Sequence, residues 1–550
     1  MKKLSVTLLA SLSTLWCLAQ VSIIPEPLKL TQGSGTFSLH DQVQLVAVSA
    51  DELQSARYFS DYLKKHYNLS IQIVEKVGTD PAILFSVVEK ETPSVTGEYE
   101  LTIDTKLIVL NGFNPQGLFY AVQSLIQLIP AKGHWKLEIP AIYIYDKPAF
   151  SYRGMHFDVV RHIFPVEYIK KFIDYLALHK MNYFHWHLTD DQGWRIESAK
   201  YPKLNTIGAY REATIIGMFP GTGVDSTRYG GFYTVKELRE VVDYAKARYI
   251  TVIPEADIPA HCMAAISAYP QLSTAPDTLR RPASTWGIFN RQNNVLSPNK
   301  YTFKFLEDIF DELCDIFHDS PYIHFGADEA STMWWKESAE SQEFMKQNNM
   351  TDEGEIQDYL VRLVVNTINN KGKIAVGWDE ITRDPKLSGD VVVMNWRGQR
   401  GGNEAANKGY KVIMTPSRYS YLNSSQRPDE ELVLPRRVTT LDTVYLFNPV
   451  PKALSPQAAE NIIGGQGCMW TEYYPTISKV EYALFPRLSA IAENYWSGQG
   501  RKDLTKFKQK LSKQFDLYDL WGANYCNYVV DIGDVKRLLS TPNYLPSKSY

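Results

Sequence analysis

Basic runs and long apolar stretches are missing from most of this 550-residue sequence. With 58 basic and 61 acidic residues, the formal net charge is only −3. A nucleic-acid-binding protein needs a basic surface, so the sequence predicts no nucleic-acid partner. Beyond the first twenty residues, no apolar stretch is long enough for a transmembrane helix, which argues against a membrane span.

Cysteine is also scarce, with five residues in the whole chain. Cys17 lies in the N-terminal segment, and the other four are Cys262, Cys314, Cys468 and Cys526. An even number permits disulfides in an oxidising compartment, but the spacing fits neither a disulfide framework nor a CxxC metal site. We interpret the four as buried thiols, and the sequence leaves their pairing open.

Residues 1–19 have the pattern of a secretory signal peptide. Lys2 and Lys3 precede an apolar stretch that ends at the small residue Ala19. Cys17 offers a lipoprotein alternative, but Trp16 stands where lipoprotein signals carry a small residue, so simple cleavage near Ala19 is favoured. The protein is therefore expected to be exported, to the periplasm or to the medium.

The rest of the chain divides into three predicted segments. Residues 20–147 mix strand-like runs with two helical patterns and carry no catalytic constellation, which indicates a small α/β accessory domain. Residues 148–500 contain eight apolar runs, most of them too continuously apolar to be half-exposed strands. Residues 501–550 include a helical pattern that is expected to pack on the preceding domain.

Helical patterns lie between several of the eight runs. In FLEDIFDELCDIF, for example, Leu306, Ile309 and Leu313 fall on one helical face. Eight buried strands alternating with helices predict an α/β fold, a (β/α)8 TIM barrel preceded by the small α+β domain. A doubly wound open sheet is the alternative, but the Gly-rich phosphate fingerprint that it often carries is missing.

Polar and aromatic residues follow the ends of seven of these runs. In a barrel the C-terminal ends of the strands meet at one mouth, so these residues should converge on a single site. A lone carboxylate after a strand is usually a helix cap, but convergence from seven strands is hard to explain in that way. In chain order the candidates are His187, Asp190, Asp191, Glu255, Asp257, His261, Asp328, Glu329, Trp378, Glu380, Trp396, Tyr421, Asn423, Trp470 and Glu472.

Metal-assisted hydrolysis is one chemistry that this set could support. His185 and His187 are alternate residues of one strand and so face the same side, with Asp190 and His261 further along the chain. However, the ligand set is incomplete by the usual inventory, and the 12 Trp and 34 Tyr suit sugar rings better. No metal or organic cofactor is expected.

Glycoside hydrolysis is the second chemistry, and the one that we favour. It requires a general acid and a group that stabilises an oxocarbenium-like centre. Asp328 and Glu329 are adjacent, and adjacent side chains on an extended strand point to opposite faces. That arrangement suits an acid and a nucleophile poorly, which predicts that the two carboxylates serve different parts of the substrate.

A resemblance to a known family becomes specific at HFGADE (324–329), which is similar to the H-x-G-G/A-D-E signature of glycoside hydrolase family 20, the β-N-acetylhexosaminidases. The residues from 22 to 147 also look like that family's accessory domain. Further blocks resemble the family in the same order: RGMHFDVVRHIFP (153–165), NYFHWHLTDDQGWRIE (182–197), PEADIPAH (254–261), GWDE (377–380), YLN (421–423) and WTE (470–472).

The resemblance implies a retaining exo-hydrolase in which the substrate's own 2-acetamido oxygen attacks the anomeric carbon. Asp328 would orient the acetamide and stabilise its developing charge, and Glu329 would act as general acid and then as general base. Among the other implied roles, Tyr421 would bind the acetamide carbonyl, and His261 and Asp190 would tune the proton affinity of Glu329. The implied substrate contacts are Trp378, Trp396 and Trp470 around the acetamide and the ring, Arg153 on the hydroxyls, and Asn423 and Glu472 on the O4/O6 side.

Some questions stay open at this stage. A guanidinium buried in a barrel strand needs a partner, so the alternative for Arg153 is an internal salt bridge, for example with Asp158. Asn423 stands where many bacterial relatives have aspartate, so the gluco/galacto preference is open. The expected partner is a β-linked N-acetylhexosamine oligosaccharide or glycan, and the sequence leaves the oligomeric state, monomer or dimer, open. The alternatives are a lacto-N-biosidase-type exo-glycosidase, a non-catalytic sugar-binding homologue and a metal-dependent barrel hydrolase.

Overall fold

The computed structural model describes residues 21–78, 81–90, 95–131, 136–286, 293–427, 430, 437–452 and 454–527. The expected signal peptide lies outside the described residues, and so does the end of the predicted C-terminal segment from residue 528. Within the described part of the chain, no helix combines the length and the apolar character needed to cross a membrane.

The first domain is a seven-stranded mixed sheet with two helices packed on it. Two of its central strands bury alternate residues, as in the segment Tyr99–Ile103, where the first, third and fifth side chains are buried. The first helix begins with a capping box between Ser49 and Glu52. The elements are β1 (Lys29–Leu39), β2 (Gln44–Val46), α1 (Ala50–Tyr67), β3 (Gln72–Val74), β4 (Ala82–Val87), β5 (Tyr99–Ile103), β6 (Leu107–Gly112), α2 (Pro115–Leu128) and β7 (Leu137–Asp146), and the sheet order is β1-β7-β5-β6-β4-β2-β3.

The predicted barrel is confirmed, and each of the eight apolar runs supplies one of its parallel strands. These strands are β8 (Tyr152–Asp158), β9 (Tyr183–His187), β14 (Thr251–Ile258), β15 (Tyr322–Gly326), β16 (Ile374–Trp378), β17 (Val391–Asn395), β18 (Lys411–Met414) and β19 (Ile462–Met469), and β19 pairs with β8 to close the barrel. Two short hairpins, β10 (Thr189–Asp190) with β11 (Gly193–Trp194) and β12 (Tyr210–Arg211) with β13 (Tyr229–Gly230), follow β9.

Helices follow or surround the barrel strands with their apolar faces inward. In α6, Leu306, Ile309 and Leu313 are buried, as the sequence predicts. The helices are α3 (Val166–Leu178), α4 (Val235–Lys246), α5 (Met263–Ala268), α6 (Lys300–Ile316), α7 (Met333–Lys336), α8 (Ala339–Gln347), α9 (Gly354–Asn370), α10 (Gln399–Asn407), α11 (Ser417–Ser420), α12 (Leu441–Tyr445), α13 (Pro456–Ala459), α14 (Ile477–Leu484), α15 (Arg487–Trp496) and α16 (Leu504–Leu520).

Buried polar contacts join the first domain to the barrel. Asp146, at the end of β7, accepts hydrogen bonds from Tyr99 and from Trp496 of α15, and it forms an ion pair with Lys180 at 3.2 Å. The Lys180 and Asp146 side chains are both fully buried. Elsewhere, Cys262, Cys314, Cys468 and Cys526 are buried thiols, and no disulfide links cysteines of the described residues.

Candidate active site

A pocket of about 300 Å³ opens at the C-terminal ends of the barrel strands. Two larger hollows, of about 690 and 460 Å³, lie where the first domain meets the barrel, and neither is lined by a predicted site residue. Convergence of strand-end residues at one mouth is therefore observed. The lining residues are Arg161, Asp190, Asp257, His261, Trp286, Asp328, Glu329, Trp396, Tyr421, Asn423, Arg437, Trp470, Glu472 and Tyr473.

The backbone after β15 explains how two adjacent carboxylates reach one pocket. The strand ends at Gly326, and positive φ angles follow at Ala327 (+78°) and Glu329 (+51°). His261 Nε2 lies 3.9 Å from Asp328 Oδ2 and 3.5 Å from Glu329 Oε2. The expectation that the two side chains diverge is wrong, because the extended backbone ends before them.

Glu329 is supported by an imidazole and a second carboxylate. His261 lies between them, with Nδ1 3.2 Å from Asp190 Oδ1 and Nε2 on the Glu329 side. Burial opposes a charge on His261, but the Asp190 carboxylate outweighs it and raises the pKa of His261 well above its usual value. Although burial acts against ionisation of Glu329, its hydrogen bond with His261 and the imidazolium charge lower the pKa of Glu329. The predicted association of His261 and Asp190 with Glu329 is observed as a contact.

Asp328 lies in a different environment. Its side chain is 14% exposed, and its Oδ1 has no hydrogen-bond partner among the described residues. Burial raises the pKa of Asp328 to about 6, in spite of the charge on His261. Asp257, buried beneath it, accepts a hydrogen bond from the Ala327 N–H, and burial together with the Asp328 charge raises the pKa of Asp257 well above its usual value. The sequence placed Asp257 at a strand end but gave it no role.

Aromatic rings form one wall of the pocket. The Tyr421 ring lies 6.4 Å from Trp396, at an interplanar angle of 18°, and 6.0 Å from Trp470. Trp396 donates its indole N–H to Glu380, whose pKa is raised to about 8 by burial and by the charge of Asp328. Trp378 does not line the pocket but lies behind Trp470, at a centroid distance of 6.2 Å. Trp378 is therefore a support of this wall rather than part of its surface.

Arg153 requires a correction, because the structure places it away from the pocket. It is the second residue of β8, at the opposite end of the barrel from the mouth, and donates to the Lys180 and Phe150 carbonyl oxygens and to the Tyr120 hydroxyl. The salt bridge considered for it with Asp158 is also wrong, since the partner of Asp158 is Arg161.

Arg161 and Arg437 are the arginines that line the pocket, and Arg161 is the one next to the strand ends. It follows the C-terminal end of β8, forms an ion pair with Asp190 at 2.7 Å, and lies over the Trp470 ring. It stands in the same sequence block as Arg153, so the strand-end rule applied to β8 would have identified it. Trp286 was also missed, because it lies in the long connection between α5 and α6, where no strand end marks it.

Asn423 and Glu472 both line the pocket. Asn423 Oδ1 and Glu472 Oε2 are buried and have no hydrogen-bond partner among the described residues. Burial raises the pKa of Glu472, although Arg161 partly offsets this effect. Buried polar atoms without partners are uncommon, so these two atoms are suited to a polar ligand such as a sugar hydroxyl.

A second polar cluster lies deeper in the barrel and has the residue types of a metal site. His185, Glu255 and His324 are one such group, and His156, His187 and Glu255 are another. Glu255 Oε2 lies only 2.5 Å from His187 Nδ1, and Glu255 Oε1 lies 2.9 Å from His324 Nδ1. The His187 contact is a direct hydrogen bond and the Trp378 indole N–H donates to Oε1, so both carboxylate oxygens already have partners.

An eight-stranded barrel whose mouth combines paired carboxylates with indole walls is the architecture of a glycoside hydrolase. Comparison with known proteins gives the same class. Residues 150–499 match the catalytic domain of glycosyl hydrolase family 20, and residues 20–147 match domain 2 of that family. The chain belongs to glycosyl hydrolase family 20.

Individual relatives agree with the family match. The chain is 38% identical to a β-hexosaminidase of Porphyromonas gingivalis over 92% of its own length, but it spans only 64% of that longer protein. It is 34% identical to a β-hexosaminidase of Vibrio furnissii, over 86% of this chain and 76% of the relative. Among solved structures, the exo-β-N-acetylglucosaminidase of Vibrio harveyi in complex with N-acetylglucosamine superposes with a TM-score of 0.81 at 30% identity, over 92% of this chain and 78% of that one.

Proposed function

We propose that the protein is an exo-acting, retaining β-N-acetylhexosaminidase that removes terminal β-linked GlcNAc or GalNAc through an oxazolinium intermediate. The observation that carries the proposal is the convergence of Asp328 and Glu329 on one pocket in unlike environments. Glu329 contacts His261, whose other ring nitrogen contacts Asp190, whereas Asp328 also lies next to Asp257. Two carboxylates in unlike environments suit two different tasks.

In the proposed first step, the acetamide oxygen of the substrate attacks the anomeric carbon while Glu329 transfers its proton to the glycosidic oxygen. Asp328 accepts a hydrogen bond from the acetamide N–H and stabilises the positive charge that develops there. Tyr421, whose pKa burial raises well above its usual value, stays protonated and donates to the acetamide oxygen. Because the nucleophile is part of the substrate, it is held near the reacting carbon at little entropic cost.

In the second step, Glu329 removes a proton from water, which attacks the oxazolinium at the anomeric carbon and regenerates the acetamide. The outcome is retention, since both attacks displace a group from the opposite face. The carboxyl pair must carry one proton in total at the start. Asp328 has the higher pKa in the empty pocket, so substrate binding must shift the proton toward Glu329, as the acetamide N–H favours an ionised Asp328.

Exo action on a single sugar is supported by the size of the pocket. About 300 Å³ is at the small end of ligand sites and suits one N-acetylhexosamine ring. A lacto-N-biosidase-type enzyme, the alternative within the family, would have to hold a disaccharide. A panel of aryl β-N-acetylglucosaminide, β-N-acetylgalactosaminide and lacto-N-bioside, each with a non-acetylated control, separates the two. Turnover of the bioside alone would overturn the proposal.

A chelator experiment tests the remaining metal-dependent alternative. Because the proposed mechanism uses only carboxylates, a tyrosine and the substrate's acetamide, dialysis against EDTA should leave turnover unchanged. Activity that is abolished by EDTA and restored by zinc would contradict this mechanism. The His185, Glu255 and His324 group would then be the first site to examine.

We also propose that the protein is exported after cleavage near Ala19. The support is the N-terminal pattern of Lys2 and Lys3 followed by an apolar stretch and a small residue. Mass spectrometry of the protein from a cell that secretes it should give a mature N-terminus at or next to Gln20. An intact Met1 on the active protein would contradict export by this route.

A further inference from the structure

Glu329 is the outer end of a continuous chain of polar contacts that runs into the barrel interior. From Glu329 the chain passes through His261 to Asp190. Asp190 Oδ2 then lies 3.0 Å from His187 Nε2, and His187 Nδ1 lies 2.5 Å from Glu255 Oε2. His187 is therefore held by a carboxylate at each ring nitrogen.

Glu255 is the inner end of this chain and is fully buried. Besides His187, it contacts His185 Nε2 at 3.1 Å and His324 Nδ1 at 2.9 Å, and it accepts the Trp378 indole N–H at 2.9 Å. Trp378 in turn supports Trp470 in the pocket wall. The Glu255 carboxylate thus contacts both His187, which leads to Glu329, and Trp378, which packs against Trp470 in the aromatic wall.

We propose that His187 and Glu255 are positioning residues for the reaction, which set the proton affinity of the Asp328 and Glu329 pair through Asp190 and His261. This inference rests on the proposed function. The sequence alone indicates only His261 and Asp190 as residues that tune the proton affinity of Glu329, and the inference adds His187 and Glu255.

The charges along the chain alternate in sign. Burial acts against a charge on His187, but the Glu255 carboxylate and the contact with Asp190 outweigh it and raise the pKa of His187 to about 10. Burial likewise opposes ionisation of Asp190, yet Arg161 and His261 keep its pKa well below the usual value. Glu255 also stays ionised, since the surrounding imidazoles lower its pKa well below the usual value in spite of burial.

Other ionisable groups face this chain from the neighbouring strands. Asp191 lies 3.6 Å from His261, and Arg161 joins Asp190 to Asp158. Asp257 approaches from β14, and Glu255 is among the charges that raise the pKa of Asp328. Both variants, at His187 or at Glu255, keep Asp158, Arg161, Asp191 and Asp257, so the effect of the replaced charge can be measured separately.

The two replacements should move the pH profile of kcat/KM in opposite directions. His187→Gln removes a positive charge, so the carboxyl pair should hold its proton more strongly. The alkaline limb should therefore move to higher pH, by roughly 0.5–1 pH unit. Glu255→Gln removes a negative charge near Asp328, so the alkaline limb should move to lower pH. Because the signs are opposite, a general loss of packing cannot produce both results.

His156→Gln is the matched control. His156 is a fully buried imidazole of the same cluster, it makes no hydrogen bond among the described residues, and burial keeps it neutral by lowering its pKa well below the usual value. Replacing it by a neutral amide removes no charge, so the acidic and alkaline limbs of the pH profile of kcat/KM should lie at the same pH as in the wild type. Lower kcat in the two test variants with unmoved limbs would overturn the inference, because the cluster would then only support the fold.

A measurement without turnover separates this inference from the proposed function. With selective ¹⁵N-histidine labelling at about pH 8, the resonances that disappear in His187→Gln should be those of an imidazolium, because its raised pKa lies above that pH. A neutral imidazole signal there would overturn the inference even if the enzyme is active. A wild type that does not hydrolyse N-acetylated substrates would instead contradict the proposed function.

Discussion

Individual residues explain why two adjacent carboxylates can have different tasks. His261 and Asp190 keep the pKa of Glu329 low, while burial keeps that of Asp328 near 6. The two groups contact the same imidazole nitrogen, so their protons are shared rather than independent. The pair therefore behaves as one unit that must hold one proton for the proposed reaction.

Asp328→Asn should reduce kcat/KM for an aryl β-N-acetylglucosaminide by roughly 10²–10³-fold. The amide keeps the shape of the side chain but removes the negative charge that, in the proposed mechanism, stabilises the acetamide in the transition state. Steady-state kinetics measure the change. Asp319→Asn, which alters a carboxylate in a surface ion pair with Lys246, should retain wild-type rates and serves as the control. Wild-type rates for Asp328→Asn would contradict its assigned role.

The pH profile of kcat/KM should have its alkaline limb near pH 6. As the pH rises through about 6, the pair loses its remaining proton, and Glu329 can no longer protonate the leaving oxygen. Activity should fall again below the lowered pKa of Glu329, since Asp328 is then protonated and cannot accept the acetamide N–H. Rates measured from about pH 3 to 9 decide the matter, and activity that keeps increasing through pH 6 would oppose this assignment.

At the level of single elements, the end of β15 determines where Asp328 and Glu329 lie. Gly326 has a φ of +69°, and a Cβ placed on it would lie 1.7 Å from Asp257 Oδ1. The strand can therefore turn at this point only because the residue is glycine. Ala327 and Glu329 also adopt left-handed conformations, which local contacts such as the Ala327 N–H to Asp257 must stabilise.

Gly326→Ala should abolish most of the activity, because the added methyl group would displace Asp257 and with it Asp328. Gly372→Ala is the matched control, since Gly372 has a φ of +70° but no atom lies within 4 Å of an added Cβ. Both variants introduce similar backbone strain, of the order of 1 kcal/mol, and only Gly326→Ala adds the clash with Asp257. Equal activity of the two variants would contradict the steric argument.

The strands and their C-terminal ends could be predicted from sequence because continuous apolar runs indicate strands buried on both faces. The turn after β15 could not, because a positive φ at Ala327 depends on tertiary contacts rather than on the residue itself. Arg153 was misplaced for a related reason. A motif block fixes the order of residues but does not say which end of a strand each of them occupies.

At the scale of the whole molecule, the first domain and the barrel share a buried ionic junction. Asp146 contributes to it from the first domain and Lys180 from the barrel, and neither side chain is exposed. Tyr99 and Trp496 also donate hydrogen bonds to the carboxylate, as do the backbone N–H groups of Leu28 and Lys147. The barrel could be predicted as a unit from its repeated pattern, but this junction could not, since its partners are far apart in sequence and carry no periodic signal.

Asp146→Asn should lower the free energy of unfolding by about 3–5 kcal/mol, because it leaves the buried Lys180 ammonium without its partner charge. Urea denaturation followed by fluorescence measures the change. Lys170→Met is the control, since Lys170 and Glu240 form an exposed ion pair that should contribute no more than about 1 kcal/mol. Equal losses in the two variants would mean that the junction does not hold the domains together.

The central claim, that the substrate supplies its own nucleophile, is tested most directly by varying the acyl group of the substrate. Aryl glycosides of N-acetyl-, N-fluoroacetyl-, N-difluoroacetyl- and N-trifluoroacetylglucosamine have acyl oxygens of decreasing nucleophilicity and nearly the same shape. We predict that kcat/KM falls steadily along the series, by roughly a hundredfold or more in total, which corresponds to about 2.7 kcal/mol of activation free energy. Rates that are independent of fluorination would contradict participation of the acetamide and would point to a nucleophile supplied by the protein.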